Sequence, residues 1–344
     1  MTYQNLNLQF QIIAAIRQFF TQHGFLDVMT PVAVSHPGME PHIHPFQVKA
    51  TNPASHFSDD MYLNTSPEFS MKYLLSLGFE KIFTITYSFR DEPNSPIHRP
   101  QFLMLEWYRP GHYDLVKQDV EDLFNFTVNY LTTRNLPLHP SLTQKQDKNK
   151  SKNRNDNKNE NKNNIIKFTK LTVQELFQRY LGIDILDYLD TAKLKTLIAT
   201  RFPEVPLPTQ NCPWEDYYFL LFLNKIEPHL AEIPFLMLDK FPAPLAALAK
   251  ISAEDERTCD RFEIYVRGME IANCFHELTD YALQEKRWMA FRQEKQCLYH
   301  YDLPRPNILL DALKSGIQPS SGIALGVERF GACLCGQKDL FWPQ

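Results

Sequence analysis

Between residues 83 and 108, apolar and polar positions alternate with period two on either side of a proline-rich break. Thr84, Thr86, Ser88 and Arg90 share one parity, and Phe83, Ile85, Tyr87 and Phe89 the other. Beyond the break, Phe102, Met104, Glu106 and Tyr108 alternate with Leu103, Leu105 and Trp107. Side chains two apart on a strand point the same way, so each run predicts a strand with one greasy and one polar face. Joined by a loop holding Pro93, Pro96 and Pro100, the two predict a half-buried antiparallel pair. Arg90, Glu92, His98, Glu106 and Tyr108 would converge on its polar floor.

Other stretches extend the pattern. Arg261, Glu263, Tyr265 and Arg267 alternate with Phe262, Ile264 and Val266, Gly268 predicts a turn, and Glu270-Ile271-Ala272-Asn273 opens the next strand. Phe10 to His23 reads as an amphipathic helix with Ile12, Ile13, Ile16, Phe19 and Phe20 inward, stopped by Gly24 and followed by a strand over 25–31 that closes on Pro31. Thr65-Ser66-Pro67-Glu68 predicts a helix from about Phe69 to Leu77, with Ser66 as N-cap, Pro67 at the first helical position and Glu68 in the first turn. From Lys170 to Lys250 the chain reads as mostly helical, broken by Pro203, Pro206, Pro208 and Pro213. Antiparallel strands flanked by helices predict the α+β class.

Composition narrows the setting. The 344 residues hold ample apolar content for a core, and no apolar run approaches the ~18 residues of a membrane span. The first ten residues lack a basic stretch followed by an apolar one, so no signal peptide is expected. Six cysteines show no metal-ligand spacing beyond a lone Cys333-x-Cys335, which suits free thiols in a reducing cytoplasm. The formal charge is −4, but residues 145–164 hold seven Lys/Arg and three Asp/Glu, a net +4 that leaves −8 for the rest. So acidic a body is a poor general nucleic-acid surface. The same tract contains eight asparagines and no apolar side chain, and we expect a disordered insertion over 143–165 within a single domain spanning 1–344.

Several residue groups carry chemistry. An arginine at a strand end offers a planar fork of donors to phosphate or carboxylate, as Arg90 would. Carboxylates on adjoining strands, Glu263 and Glu270, could share a hard cation such as Mg²⁺ through oxygen ligands. Ser321-Gly322-Ile323-Ala324-Leu325-Gly326-Val327-Glu328-Arg329 reads as a glycine-bearing strand leading into a helix that opens near an arginine. Glycines there would let a nucleotide lie close to the backbone.

These segments, in this order, resemble the three motifs of class II aminoacyl-tRNA synthetases: the 10–31 unit motif 1, Phe89-Arg90-Asp91-Glu92 through Phe102 motif 2, and 321–329 motif 3. The resemblance covers almost the whole chain outside 143–165 and implies that family's antiparallel sheet flanked by helices, with ATP and Mg²⁺ as cofactors. It implies that Arg90 meets the α-phosphate and the substrate carboxylate, that Glu92 accepts from the adenine amino group, and that Phe102 stacks on the base. Asp91, His98, Arg99, Glu270, Ile271, Gly326 and Arg329 complete the implied nucleotide positions, with Arg90 and Arg329 catalytic and Glu263 and Glu270 on the metal. Thr-Ser-Pro-Glu is typical of the lysine-type enzymes, which places Glu68 on the amino acid's amino group with Ser66 and Pro67 beside it. Glu277, Glu106 and Tyr108 would take the side-chain ammonium, and Asn273 and Ala324 would lie against the substrate.

Motif 1 begins within the first thirty residues, leaving no room ahead of it for the anticodon-reading domain of a lysyl-tRNA synthetase. The chain therefore resembles the truncated paralogues that ligate (R)-β-lysine to a lysine of elongation factor P. That resemblance implies elongation factor P as partner, no tRNA anticodon recognition, a homodimer built through motif 1 and a cytoplasmic enzyme. Ala324 stands where lysyl-tRNA synthetases commonly have glycine, and its methyl group would suit a shifted β-amine. Arg99, Gln101 and Cys274 depart from the family pattern, and Cys274 in place of glycine is expected to crowd the substrate wall. The alternatives are a lysine-like ligase with another acceptor and a catalytically silent binding paralogue.

Overall fold

The computed structural model describes residues 2–52, 60–93, 95, 98–143, 165–210, 212–337 and 340; the predicted insertion lies outside the described residues except at its two ends. Among the described residues eleven strands are formed: Leu26–Asp27 (β1), Ala33–Val34 (β2), Gln47–Val48 (β3), Met61–Leu63 (β4), Ile82–Phe89 (β5), Gln101–Pro110 (β6), Thr169–Thr172 (β7), Phe235–Pro242 (β8), Thr258–Val266 (β9), Met269–His276 (β10) and Ser320–Gly326 (β11). Eight of them make one sheet in the order β1-β5-β6-β11-β10-β9-β8-β7, while β2-β4-β3 form a small second sheet. β5 through β8 run antiparallel to their neighbours in that order, and β1 and β7 add parallel strands at the two edges.

The alternation read from the sequence sorts the two faces. Phe83, Leu105, Trp107, Ile264, Ile323 and Leu325 are buried in one core against helices Tyr3–Gln22, Asp114–Thr133 and Val327–Cys335. The opposite face is the floor of a cleft walled by helices Glu68–Ser76, Tyr281–Tyr299 and Asn307–Ser315, with a second core around Phe69, Met71, Leu75, Trp288 and Leu310. A third core gathers helices Val173–Leu181, Thr191–Arg201 and Trp214–Lys225 onto β7 and β8.

Several local expectations need correction. The first helix starts at Tyr3, seven residues before the apolar period shows itself, because the Thr2 hydroxyl accepts from the Asn5 amide at 3.3 Å and caps it. Only Leu26–Asp27 of the predicted 25–31 strand pairs, in parallel with Ile82 and Phe83. The 170–250 region is not simply helical, since it supplies β7 and β8. β8 is covered on both sides, with Leu236, Met237 and Leu238 all fully buried, and so shows no alternation to read. Helix Glu68–Ser76 is capped by Pro67 with no side-chain cap bond, and the Ser66 hydroxyl only accepts a long 3.4 Å bond from the Glu68 amide. Arg267 leaves the face of Glu263: at φ 50, beside Gly268 at φ 83, it forms the two-residue turn between β9 and β10. Its guanidinium donates to the Cys333 carbonyl at 3.2 Å.

Candidate active site

Register places one residue from each of five strands in a line across the sheet. Thr84 pairs with Glu106, Glu106 with Ala324, Ala324 with Asn273 and Asn273 with Glu263. Residues directly opposite in a ladder share a face, so this is a single polar row. On either side, two residues along β6, lie the Tyr108–Gly322–Phe275 row and the Met104–Gly326 pair, each step about 7 Å. Phe102 and Arg90 close the far end. Asn273 joins Glu270 on this face although they stand three positions apart, because the register shifts between Glu270 and Ala272 and leaves Ile271 as an extra residue.

The rows floor a cavity of about 390 Å³. Among its lining residues are Ser66, Glu68, Arg90, Glu92, His98, Arg99, Phe102, Glu106, Glu270, Ile271, Asn273, Ala324, Gly326 and Arg329. Its far end is cationic and aromatic. The Arg90 guanidinium stands 5.4 Å from the centre of the Phe102 ring. Arg329 donates from Nη1 to the Glu270 carbonyl at 2.9 Å, which fixes its head at the wall. The His98 ring, 3.1 Å from the Ser95 hydroxyl, is held below the usual histidine value first by burial and then by Arg329. Burial and the nearby Glu263 push Glu270 up to about 7, against the pull of Arg329, Arg261 and Arg90. Three arginines beside an aromatic ring suit a nucleotide's phosphates and base.

The near end is acidic. Glu106 is buried, accepts from the Tyr108 hydroxyl at 3.1 Å, and sits well above the ordinary carboxylate range through burial and the proximity of Glu68. Beneath it the Lys72 ammonium lies 2.6 Å from Glu68 and 2.6 Å from Glu277. Burial opposes the charge on Lys72, yet the two carboxylates outweigh it and hold its proton more firmly than in ordinary lysine. Glu277 is itself pushed up to about 7 by burial, with Lys72 the largest counter-influence. Gly322 leaves room for this assembly: a Cβ there would stand 2.1 Å from the Tyr108 ring and 2.6 Å from Glu277 Oε1.

Five of the residues assigned from the sequence do not line the cavity. Asp91 is exposed, with its amide on the His44 carbonyl at 2.8 Å. Pro67 is buried at the start of its helix. Tyr108 and Glu277 form the layer under the floor, bonded to Glu106 and Lys72 respectively. Glu263 has both oxygens engaged, one by Arg261 at 2.6 Å and one by the Tyr265 hydroxyl at 2.6 Å. A cation shared between Glu263 and Glu270 is therefore only half provided for: Glu270 fits as an open oxygen donor, while Glu263 is committed to Arg261. Cys274 does not crowd the substrate wall. It pairs with Ile323 and Phe262 on the opposite face, fully buried in the helix-side core. The sequence reading missed Lys72, whose spacing of four from Glu68 on one helix was the available signal, and the cavity-mouth residues Glu215, Phe219 and Phe291.

Comparison with known proteins agrees with this geometry. A family profile described as tRNA synthetases class II (D, K and N) matches residues 1–341. The chain belongs to that family. A protein from Erwinia tasmaniensis is 35% identical over 327 residues, covering 94% of this chain and 89% of its own length. Another from Salmonella arizonae is 34% identical over 338 residues, covering 98% and 92%, and one from Salmonella paratyphi B is 35% identical over 341 residues, covering 98% and 92%. Each of the three bears the name elongation factor P–(R)-beta-lysine ligase. The class II scaffold and these relatives make the chain an ATP-dependent ligase. Enzymes of this kind use ATP, generally with Mg²⁺.

Proposed function

We propose that the chain activates (R)-β-lysine as an acyl-adenylate and transfers it to a lysine side chain of elongation factor P. The observation that carries the reading is the cavity's polarity. Carboxylates Glu68 and Glu106 stand at one end and Arg90 and Arg329 at the other, with Met104 and Gly326 on the floor between them. A molecule with ammonium groups at one end and a carboxylate at the other would lie along the strand direction, from Glu106 past Met104 and Gly326, with its carboxylate toward Arg90. The carboxylate oxygen attacks the α-phosphorus of ATP, and pyrophosphate leaves. The acceptor's ε-amine then attacks the acyl carbon, AMP departs, and the amine loses a proton.

Arg90 would stabilise charge developing on the α-phosphate, while Arg329 and His98 hold the departing pyrophosphate. Glu92 and Phe102 would receive the adenine. Mg²⁺, when bound with ATP, supplies charge neutralisation on the phosphates, and Glu270 is the residue placed to hold it. Ala324, midway along the row, would set the fit to a β-amine. The reading extends to a homodimer, supported by exposed Tyr3, Phe10, Leu26 and Met29 on the first helix and around β1. It extends also to a cytoplasmic enzyme that does not read anticodons.

The test is amino-acid-dependent exchange of pyrophosphate into ATP, with α-lysine and (R)-β-lysine side by side. It is followed by transfer from the adenylate to elongation factor P, detected as a mass gain on one lysine. Exchange with β-lysine and transfer to the factor are the expected results. Exchange without transfer would mean another acceptor, and no exchange with either lysine would leave a silent paralogue.

A further inference from the structure

Lys72 is the one cation at the acidic end among the described residues, and it comes from the protein itself. It is 1% exposed, projects from the first turns of helix Glu68–Ser76, and bridges its own helix to the segment after β10 with 2.6 Å contacts to Glu68 and Glu277. A structural ion pair in a fully buried place commonly costs as much in lost hydration as it returns in attraction. Here the ammonium touches two carboxylates placed beside a ligand cavity, and a third, Glu106, completes the group through Tyr108.

We infer that Lys72 is a positioning and specificity-determining residue, a fixed internal counter-ion that trims the acidic end to the charge of a diamino acid. Once a ligand's ammonium groups favour the ionised forms, three carboxylates less one ammonium leave two negative charges, the complement of a ligand with two ammonium groups whose carboxylate is met elsewhere, at Arg90. Without Lys72 the end would present three buried carboxylates to two incoming cations, and burial would drive protons onto them. With it, Glu68 and Glu277 are held as a rigid pair, and Glu68 and Glu106, which line the cavity, are left to answer the ligand. The groups facing the ammonium and its partners are Glu68 on its own helix, Glu277 after β10, Glu106 and Tyr108 on β6, and Glu40, which bears on Glu68. All but Lys72 are acids, so no other side chain of that set can take over its part.

This rests on the reading of the cavity as a diamino-acid activation site, and one set of exchange measurements tests the two separately. Wild type must first show lysine-dependent exchange; if it shows none, the underlying reading fails. Lys72→Met should raise the KM for the lysine substrate about tenfold or more at about pH 7 while leaving the KM for ATP within about twofold. The loss should shrink at about pH 8.5, because carboxylates deprived of their counter-ion ionise at higher pH. Lys72→Arg, which keeps the charge, should recover part of the affinity. If Lys72→Met does not fold, Lys72→Gln, which can still hydrogen-bond to both carboxylates but carries no charge, takes its place. In that background a raised KM for lysine with unchanged KM for ATP supports the inference. A wild-type KM in either folded variant, or an equal loss for both substrates that ignores pH, shows that Lys72 serves packing alone and overturns it.

Discussion

Arg90 enters the cavity from the end of β5 with its guanidinium over Phe102 and its Nε 3.5 Å from the Thr65 carbonyl. Its charged fork is free to meet a ligand where charge develops. Arg90→Ala is expected to lower exchange by the equivalent of about 3–4 kcal/mol with the melting temperature nearly unchanged, read by exchange assay and thermal melt together. On the proposed reading Ala324 bears on selectivity. Its methyl group stands between Glu106 and Asn273 in the row, so Ala324→Gly should shift the ratio of kcat/KM toward α-lysine over β-lysine by about 1–3 kcal/mol, the scale of one methyl group. An unchanged ratio would move the choice of isomer elsewhere in the pocket. That Glu68, Glu106, Asn273 and Arg329 line one cavity was legible because each stands in a short motif whose residue types the expected chemistry demands. Lys72 was not, because a lysine four residues from a glutamate reads as an ordinary surface pair until the fold buries both.

At the level of single elements, helix Trp214–Lys225 shows how packing can oppose a local rule. Glu215 occupies its first turn, where the helix dipole favours a negative charge, yet burial and the neighbouring Glu294 and Asp216 push it up to about 7. An acid held more tightly protonated in the folded state does not weigh against folding below the ordinary glutamate range, and weighs fully above about 7. Glu215→Gln should therefore stabilise the unliganded protein by about 1–3 kcal/mol at about pH 8 and leave it unchanged near pH 4, measured by denaturant melts at both. A gain of equal size at both values would refute the electrostatic cause. Strand faces were legible from period two for β5, β6 and β9, each half covered by helices and half by the cavity. β8 escaped notice because both its sides are buried. The extra residue at Ile271, which brings Glu270 and Asn273 to one face, leaves no mark in a pattern of apolar and polar letters.

Taken as a whole, the molecule anchors the chain that follows its Asn/Lys tract against helix Asp114–Thr133, which precedes the tract. On the return, the Ile166 amide donates to Asn125 Oδ1 at 2.7 Å and the Asn125 amide group donates back to the Ile166 carbonyl at 3.1 Å. Phe168 then enters the main core. The fold is thus tied down independently of the residues between. Replacing 145–164 by a Gly-Ser linker of about ten residues should leave exchange intact and move the melting temperature by no more than about 2 °C. A large fall would show the tract to be structural.

Among the described residues β11 is the last strand in sequence order, yet it lies in the middle of the sheet, between β6 and β10. Until it arrives, a growing chain can assemble only two half-sheets, each with an open edge of unsatisfied amides and carbonyls that invites wrong partners. The same seven residues bring Ala324 and Gly326, and the helix that follows brings Arg329. Completion of the fold and assembly of the cavity are consequently one event. A ribosome-bound or truncated chain lacking this wedge is without Ala324, Gly326 and Arg329 in the pocket, and on the proposed reading is expected to show no exchange.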